Sequence, residues 1–142
     1  MTVDRDRFPR WVWLMLGLFV MAILANMVNA FVLIPNDIID QRYAVVTVIA
    51  GMAPVIVYVG IWYDDHRRHY WEHHRLKIAG DLTFIVLGTI AGTGFSLIGL
   101  AETGLHTIVQ DLIGMTIGFL AGWLLFYVRN PDLYFTGEEP AR

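Results

Sequence analysis

The sequence predicts an all-α membrane protein, with four transmembrane helices in two hairpins and both termini cytoplasmic. Three observations predict it. Four apolar stretches of roughly 20 residues, each long enough to cross a ~30 Å hydrocarbon core as a helix, make up more than half of the 142 residues. Only 16% of residues are charged, against about a quarter in soluble domains. The basic residues also fall almost entirely in alternate connections, with nine of ten Lys and Arg on one side.

The first stretch, 11–34, follows Arg5, Arg7 and Arg10 and stops at Pro35-Asn36. Its 24 residues reach ~36 Å, so it tilts. The basic start resembles a secretory signal peptide, and Val28-Asn29-Ala30 has the form of a cleavage site. The apolar run continues past a normal signal core through Phe31 to Ile34, which favours retention as a membrane helix. The second stretch, 44–63, contains Gly51 and Pro54, a pattern that predicts a local kink. The third spans 78–100, and the fourth spans 108–128 and ends at Asn130-Pro131. None alternates with the period of two that a barrel strand requires.

Orientation follows from the connections. Arg5, Arg7 and Arg10 precede the first helix, Arg67, Arg68, Arg75 and Lys77 lie in the 64–77 loop, and Arg129 and Arg142 follow the fourth. Arg42 alone falls on the other side. Trp11, Trp13, Trp62 and Trp123 mark the same cytoplasmic helix ends. The chain is thus expected to be one multi-pass domain of the cell membrane with a short acidic tail, 132–142. A weak internal repeat at an offset of 63 residues pairs Gly17 with Gly80, Val46 with Val109 and Gly51-Met52 with Gly114-Met115.

Several functions are excluded by composition. A net charge of −3 gives no basic surplus for nucleic acid, and the absence of Cys removes disulfides, iron–sulfur clusters and thiol chemistry. No Gly-rich phosphate loop or nucleophile elbow is present. The expected partners are the lipid bilayer and either further copies of this chain or another membrane protein.

Two small-residue faces predict close helix contact. Gly88, Gly92 and Ser96 recur every four residues in the third helix, and Gly114, Gly118 and Gly122 do so in the fourth. Such faces let backbones approach in lipid, where packing replaces the hydrophobic drive. Mutual packing of the two faces is the simplest reading, and an oligomer interface is the alternative.

Polar groups at membrane depth are candidate functional residues. Asp111 sits one turn inside the fourth helix, with Gln110 beside it, and Asn26 and Asn29 lie in the outer half of the first. An intramembrane carboxylate costs roughly 2.5–3.5 kcal/mol at a helix centre, which motivates a proton-carrying or cation-binding role for Asp111, Asn26, Asn29 and Gln110. The competing reading is a carboxylate near the interface and interhelical hydrogen bonds. Asp81, four residues after Lys77, is accounted for by an i,i+4 ion pair and a favourable place at a helix N-terminus.

The 64–77 loop holds four of the five histidines. If the second helix continued into it, His66, His69 and His73 would share one face, with His74, Asp65 and Glu72 close by, a set able to grip a transition metal. His69-xxx-His73-His74 resembles one histidine box of the membrane desaturases and hydroxylases. Those families use several boxes, and the remaining His106 is expected on the opposite side. The loop is read first as a basic anchor at the headgroups, then as a metal site or a pH-responsive segment.

The sequence therefore favours a small integral membrane protein without evident catalysis, working as an assembly, accessory or regulatory subunit and needing no cofactor. The first alternative is an oligomeric transporter or channel for ions or small solutes. The second is a metal-binding membrane enzyme or sensor.

Overall fold

The computed structural model describes residues 4–134, so the tail is described only through Tyr134. The described chain is helical, and four helices are long and apolar enough to cross a membrane. They are α1 (Arg10–Val28), α2 (Ala44–Tyr63), α3 (Arg75–Leu100) and α4 (Thr107–Arg129).

Local chemistry sets each boundary. Pro9, in extended conformation, starts α1, where its missing N–H costs nothing. At its far end α1 widens into a π-helical turn, Asn29–Leu33, and Asp37 then takes a left-handed φ of 54°. A 3-10 turn, Gln41–Tyr43, leads into α2 and is capped by Asp40, whose Oδ1 accepts from the Arg42 amide at 2.9 Å. The helix runs unbroken through Pro54. It stops at Tyr63, and Asp64 caps the following turn by accepting from the His66 amide at 3.0 Å.

Histidines cap the other two helices. His74 Nδ1 accepts from the Leu76 amide at 3.2 Å at the start of α3, and His106 Nδ1 accepts from Ile108 at 3.3 Å at the start of α4. The turn between them uses Gly104 at φ 74°, a conformation open to glycine without a Cβ clash. Asn130 closes α4 by donating from Nδ2 to the Phe126 carbonyl, and Pro131 prevents continuation.

The closest packing lies between α3 and α4, along the two predicted faces. A Cβ on Gly88 would stand 3.0 Å from the Gly122 Cα, and one on Gly92 would stand 3.0 Å from the Gly118 Cα. On Gly122 it would meet the Ile85 carbonyl at 2.5 Å, and on Gly118 the Thr89 carbonyl at 2.8 Å. Gly114 faces Leu97, while Ser96 returns its hydroxyl to the Gly92 carbonyl of its own helix.

The glycines of the 63-residue repeat do not occupy matching places. Gly17 of α1 faces Val55 of α2 and Gly51 of α2 faces Met21 of α1, whereas Gly80 and Gly114 face Arg129 and Leu97 and not the offset positions Gly118 and Phe84. The α1 helix touches mainly α2, and α2 also packs on α3 and α4. A buried core of Ala53, Val57, Ile61, Tyr70, Ile85, Phe126 and Leu133 gathers at one end, the Tyr70 end. The opposite end is the Asn29 end.

Candidate functional site

The best-defined polar site is built around Asp81, in the second turn of α3, whose side chain is fully buried. Four donors converge on its carboxylate. Arg129 Nε reaches Oδ1 at 2.6 Å, and Oδ2 accepts from Tyr70 at 2.9 Å, Lys77 Nζ at 3.1 Å and Asn130 Nδ2 at 3.1 Å. Lys77 Nζ also donates to Asn130 Oδ1 at 2.6 Å, and the Tyr58 and Tyr70 hydroxyls lie 3.1 Å apart.

The fold delivers these groups from four directions. Lys77 stands one turn before Asp81, Arg129 and Asn130 end α4, and Tyr58 comes from α2. Tyr70 descends from a 3-10 segment, Asp65–Glu72, that covers the cluster. The rings of Tyr58 and Phe126 pack on Tyr70 at 5.9 and 5.6 Å between centroids.

Two cations face one carboxylate, so the cluster carries an excess positive charge. A buried charge is stable only when it is paired and hydrogen-bonded, and both Asp81 oxygens accept, Oδ1 from one donor and Oδ2 from three. Burial, then the Tyr58 hydroxyl and the Asp81 carboxylate, hold the Tyr70 phenol well above its ordinary range. It therefore remains a donor and is unsuited to act as a base or nucleophile at neutral pH. Chemically, the cluster is a clamp that joins the 65–72 segment to the ends of α3 and α4.

Lys77 and Asp81 form the i,i+4 pair that their spacing predicts. Tyr70, Arg129 and Asn130 were not foreseeable as its partners, since they arrive from 11, 48 and 49 residues away. The one available signal was the basic residue and Asn-Pro stop at the end of the fourth apolar stretch.

The other sequence-derived candidates stay apart. Asn26 is exposed and donates to the Ala22 carbonyl of its own helix at 2.8 Å. Asn29 is buried and donates to the Ala44 carbonyl at 2.9 Å, while its Oδ1 has no partner among the described residues. Gln110 is buried between Arg42, 3.1 Å from its Oε1, and the Leu105 carbonyl, 2.8 Å from its Nε2. Asp111 is half-buried in the first turns of α4. Among the described residues no side-chain hydrogen bond joins any two of these four.

The histidine segment differs from a continued helix. The α-helix ends at Tyr63, and residues 65–72 form a 3-10 helix of three residues per turn. That period places His66, His69 and Glu72 in line, and the i, i+3, i+7 face of an α-helix is not formed. His69 Nδ1 lies 3.1 Å from the His66 carbonyl, His73 Nδ1 lies 2.8 Å from that of Tyr70, and His74 caps α3. Among the described residues no group of three or more His, Asp or Glu side chains is placed to hold a metal ion.

A large apolar cavity among the described residues lies nearer the Asn29 end. It is a groove of about 740 Å³ between α1, α2 and α3, lined by Ala25, Ala50, Gly51 and Gly94 and walled by Met21 and Ile90. A Cβ added at Gly94 would meet nothing within 4 Å.

No protein family matches this chain, and comparison with curated proteins and with solved structures finds no match.

Proposed function

We propose that this chain is an integral membrane protein without a catalytic role, an assembly, accessory or regulatory subunit. Its four spans would form two hairpins, α1 with α2 and α3 with α4, with both termini and the 64–74 segment on the cytoplasmic side. The charge distribution supports that orientation, since among the described Lys and Arg residues Arg42 alone falls toward the Asn29 end. Tight packing of α3 on α4 would make a rigid platform, leaving the groove beside α1 for a partner's transmembrane helix.

The observation that carries the reading is the apolar groove between α1 and α3. A transport route needs polar groups in series, and the intramembrane polar groups here are dispersed or already engaged. Small residues along the groove would let a partner backbone approach closely.

The test is native mass spectrometry of the protein extracted gently from its own membranes, comparing wild type with Gly94→Leu. A defined partner or homo-oligomer that is lost in the variant supports the reading. A wild-type monomer with no partner, or a partner that the substitution leaves in place, counts against it.

One observation favours a second reading, an oligomeric transporter. Asn29 presents a buried Oδ1 without a hydrogen-bond partner among the described residues, at a π turn, an irregularity often found at functional sites. Substrate flux in proteoliposomes that is abolished by Asn29→Leu and Asp111→Asn would favour this reading. Absence of flux, or flux indifferent to both changes, would remove it.

A further inference from the structure

A second polar site lies at the Tyr70 end, apart from the Asp81 clamp. Arg10 opens α1, and its Nη2 would stand 3.3 Å from a Cβ on the buried Gly60 of α2. The absence of that Cβ lets the guanidinium lie close over the end of α2. Arg67 approaches from the 3-10 segment, with its Cζ 4.8 Å from the ring centre of Tyr134 and its Nε 3.4 Å from Asp64. The Tyr134 hydroxyl accepts from Trp123 Nε1 at 3.2 Å, so its own proton remains available for donation.

These groups line a half-open cavity of about 140 Å³, backed by Ile56, Val57 and Phe119. That volume holds about five water-sized groups, the heavy-atom count of a phosphate. Among the described residues Arg10 has no ion-pair partner, Arg67 has one, Asp64, and no carboxylate lines the cavity. Two guanidiniums and a phenol O–H therefore present donors to a half-open space, with a single carboxylate paired to them among the described residues. Guanidinium geometry suits a phosphate, which it can bind through paired hydrogen bonds. The remaining wall is apolar and belongs to helices long enough to span a membrane.

We propose that this cavity binds the phosphate headgroup of an anionic phospholipid through Arg10, Arg67 and Tyr134, with the lipid body lying along α2 and α4. The site rests on the membrane reading of the helices and is independent of the subunit reading. Retention of the protein in alkali-washed membranes tests that foundation separately.

The experiment is native mass spectrometry of the full chain in neutral detergent. It is titrated with phosphatidylglycerol, with phosphatidylcholine and with phosphatidylglycerol plus excess inorganic phosphate. Wild type is expected to retain one phosphatidylglycerol in preference to phosphatidylcholine. Arg10→Gln is expected to weaken that retention about fivefold, the weight of one headgroup-depth cation. Tyr134→Phe, which keeps the ring, is expected to weaken it by about threefold. Arg68→Gln is the control, because Arg68 pairs with Asp65 and lies outside the cavity.

Equal weakening by Arg10→Gln and Arg68→Gln would reduce the effect to diffuse surface charge and overturn the site. So would the absence of any preference between the two lipids. Displacement of phosphatidylglycerol by inorganic phosphate would overturn the lipid assignment and leave a site for a soluble anion.

Discussion

The α3–α4 interface and the edge formed by α1 use similar amino acids to opposite effect. Across α3 and α4, glycine brings backbones close enough that a methyl group would strike a carbonyl, and Thr89 and Thr93 fill the space between. The Thr93 hydroxyl has no hydrogen-bond partner among the described residues and occupies the volume a Gly118 side chain would take, a contact suited to a weak Cα–H···O interaction. At the α1 edge, Ala25, Gly51 and Gly94 border a groove instead. Only 11% of the most apolar window of α1 is buried, against 33% for α2. Small residues therefore make a tight interface only where a second small-residue face meets them. Where none does, the same composition leaves room for a helix from elsewhere.

The largest expected effect comes from destroying that contrast on the tight side. Gly122→Leu places carbon against the Ile85 carbonyl and the Thr89 hydroxyl, and neither helix backbone can yield alone. A loss of about 3 kcal/mol or more is expected, read as a lower midpoint in SDS unfolding and loss of protease resistance. A midpoint within error of wild type would show that the two backbones are not in contact.

Next comes Asp81→Ala, which leaves Lys77, Arg129, Tyr70 and Asn130 without their common acceptor. Breaking a buried ion pair costs about 3–5 kcal/mol. The lower end is expected here because both cations are about one-third exposed and can recover water. Asp81→Asn should cost less, since it retains an acceptor oxygen. Equal losses for the two variants would mean that shape and not hydrogen bonding is what matters.

Tyr70→Phe should cost about 1–2 kcal/mol through the lost hydroxyl, and it also changes the alkaline limb. The folded protein holds this phenol above its ordinary value near 10, so the unfolded chain loses the proton first. Stability from this group is complete below pH 10 and falls as pH rises beyond it. Unfolding midpoints measured from pH 8 to 11 should decline more steeply for wild type than for Tyr70→Phe. Parallel curves would remove Tyr70 as the cause. Burial also raises Tyr134, so some slope should survive.

The smallest effect on stability belongs to Gly94→Leu at the groove. The added Cβ meets open space and the rest of the side chain extends into the groove, so the midpoint should move by no more than about 0.5 kcal/mol. A large loss would show that α1 closes onto α3 and that the groove is not standing open.

Much of this architecture was legible from residue order. The four long apolar helices were, because an apolar run of 20 residues has few other fates. Spacing by four likewise placed Gly88 and Gly92 on one face, and Gly114, Gly118 and Gly122 on another. Lys77 and Asp81 were legible as a pair because a helix makes neighbours of i and i+4.

What escaped was direction around the helix and convergence across the chain. Asp111 and Asp81 both sit near helix starts, yet only Asp81 points inward and is fully buried. Its other partners come from separate elements that no spacing rule connects. The histidine segment departs from the expected period, since capping by Asp64 favours a tighter turn over continuation of α2.

The Asp81 clamp has a consequence for the order in which the protein is made. Asp81 leaves the ribosome 49 residues ahead of Asn130, an interval of roughly 2–10 seconds at ordinary rates of synthesis. Through that interval Lys77, four residues upstream, is already present as a counterion. A chain ending at Val128 would hold its carboxylate with half its donors missing, and one extended through Pro131 could complete the set. Released chains truncated at those two lengths should differ in how readily a protease cuts the 65–72 segment, because closing it down would be the final act of assembly.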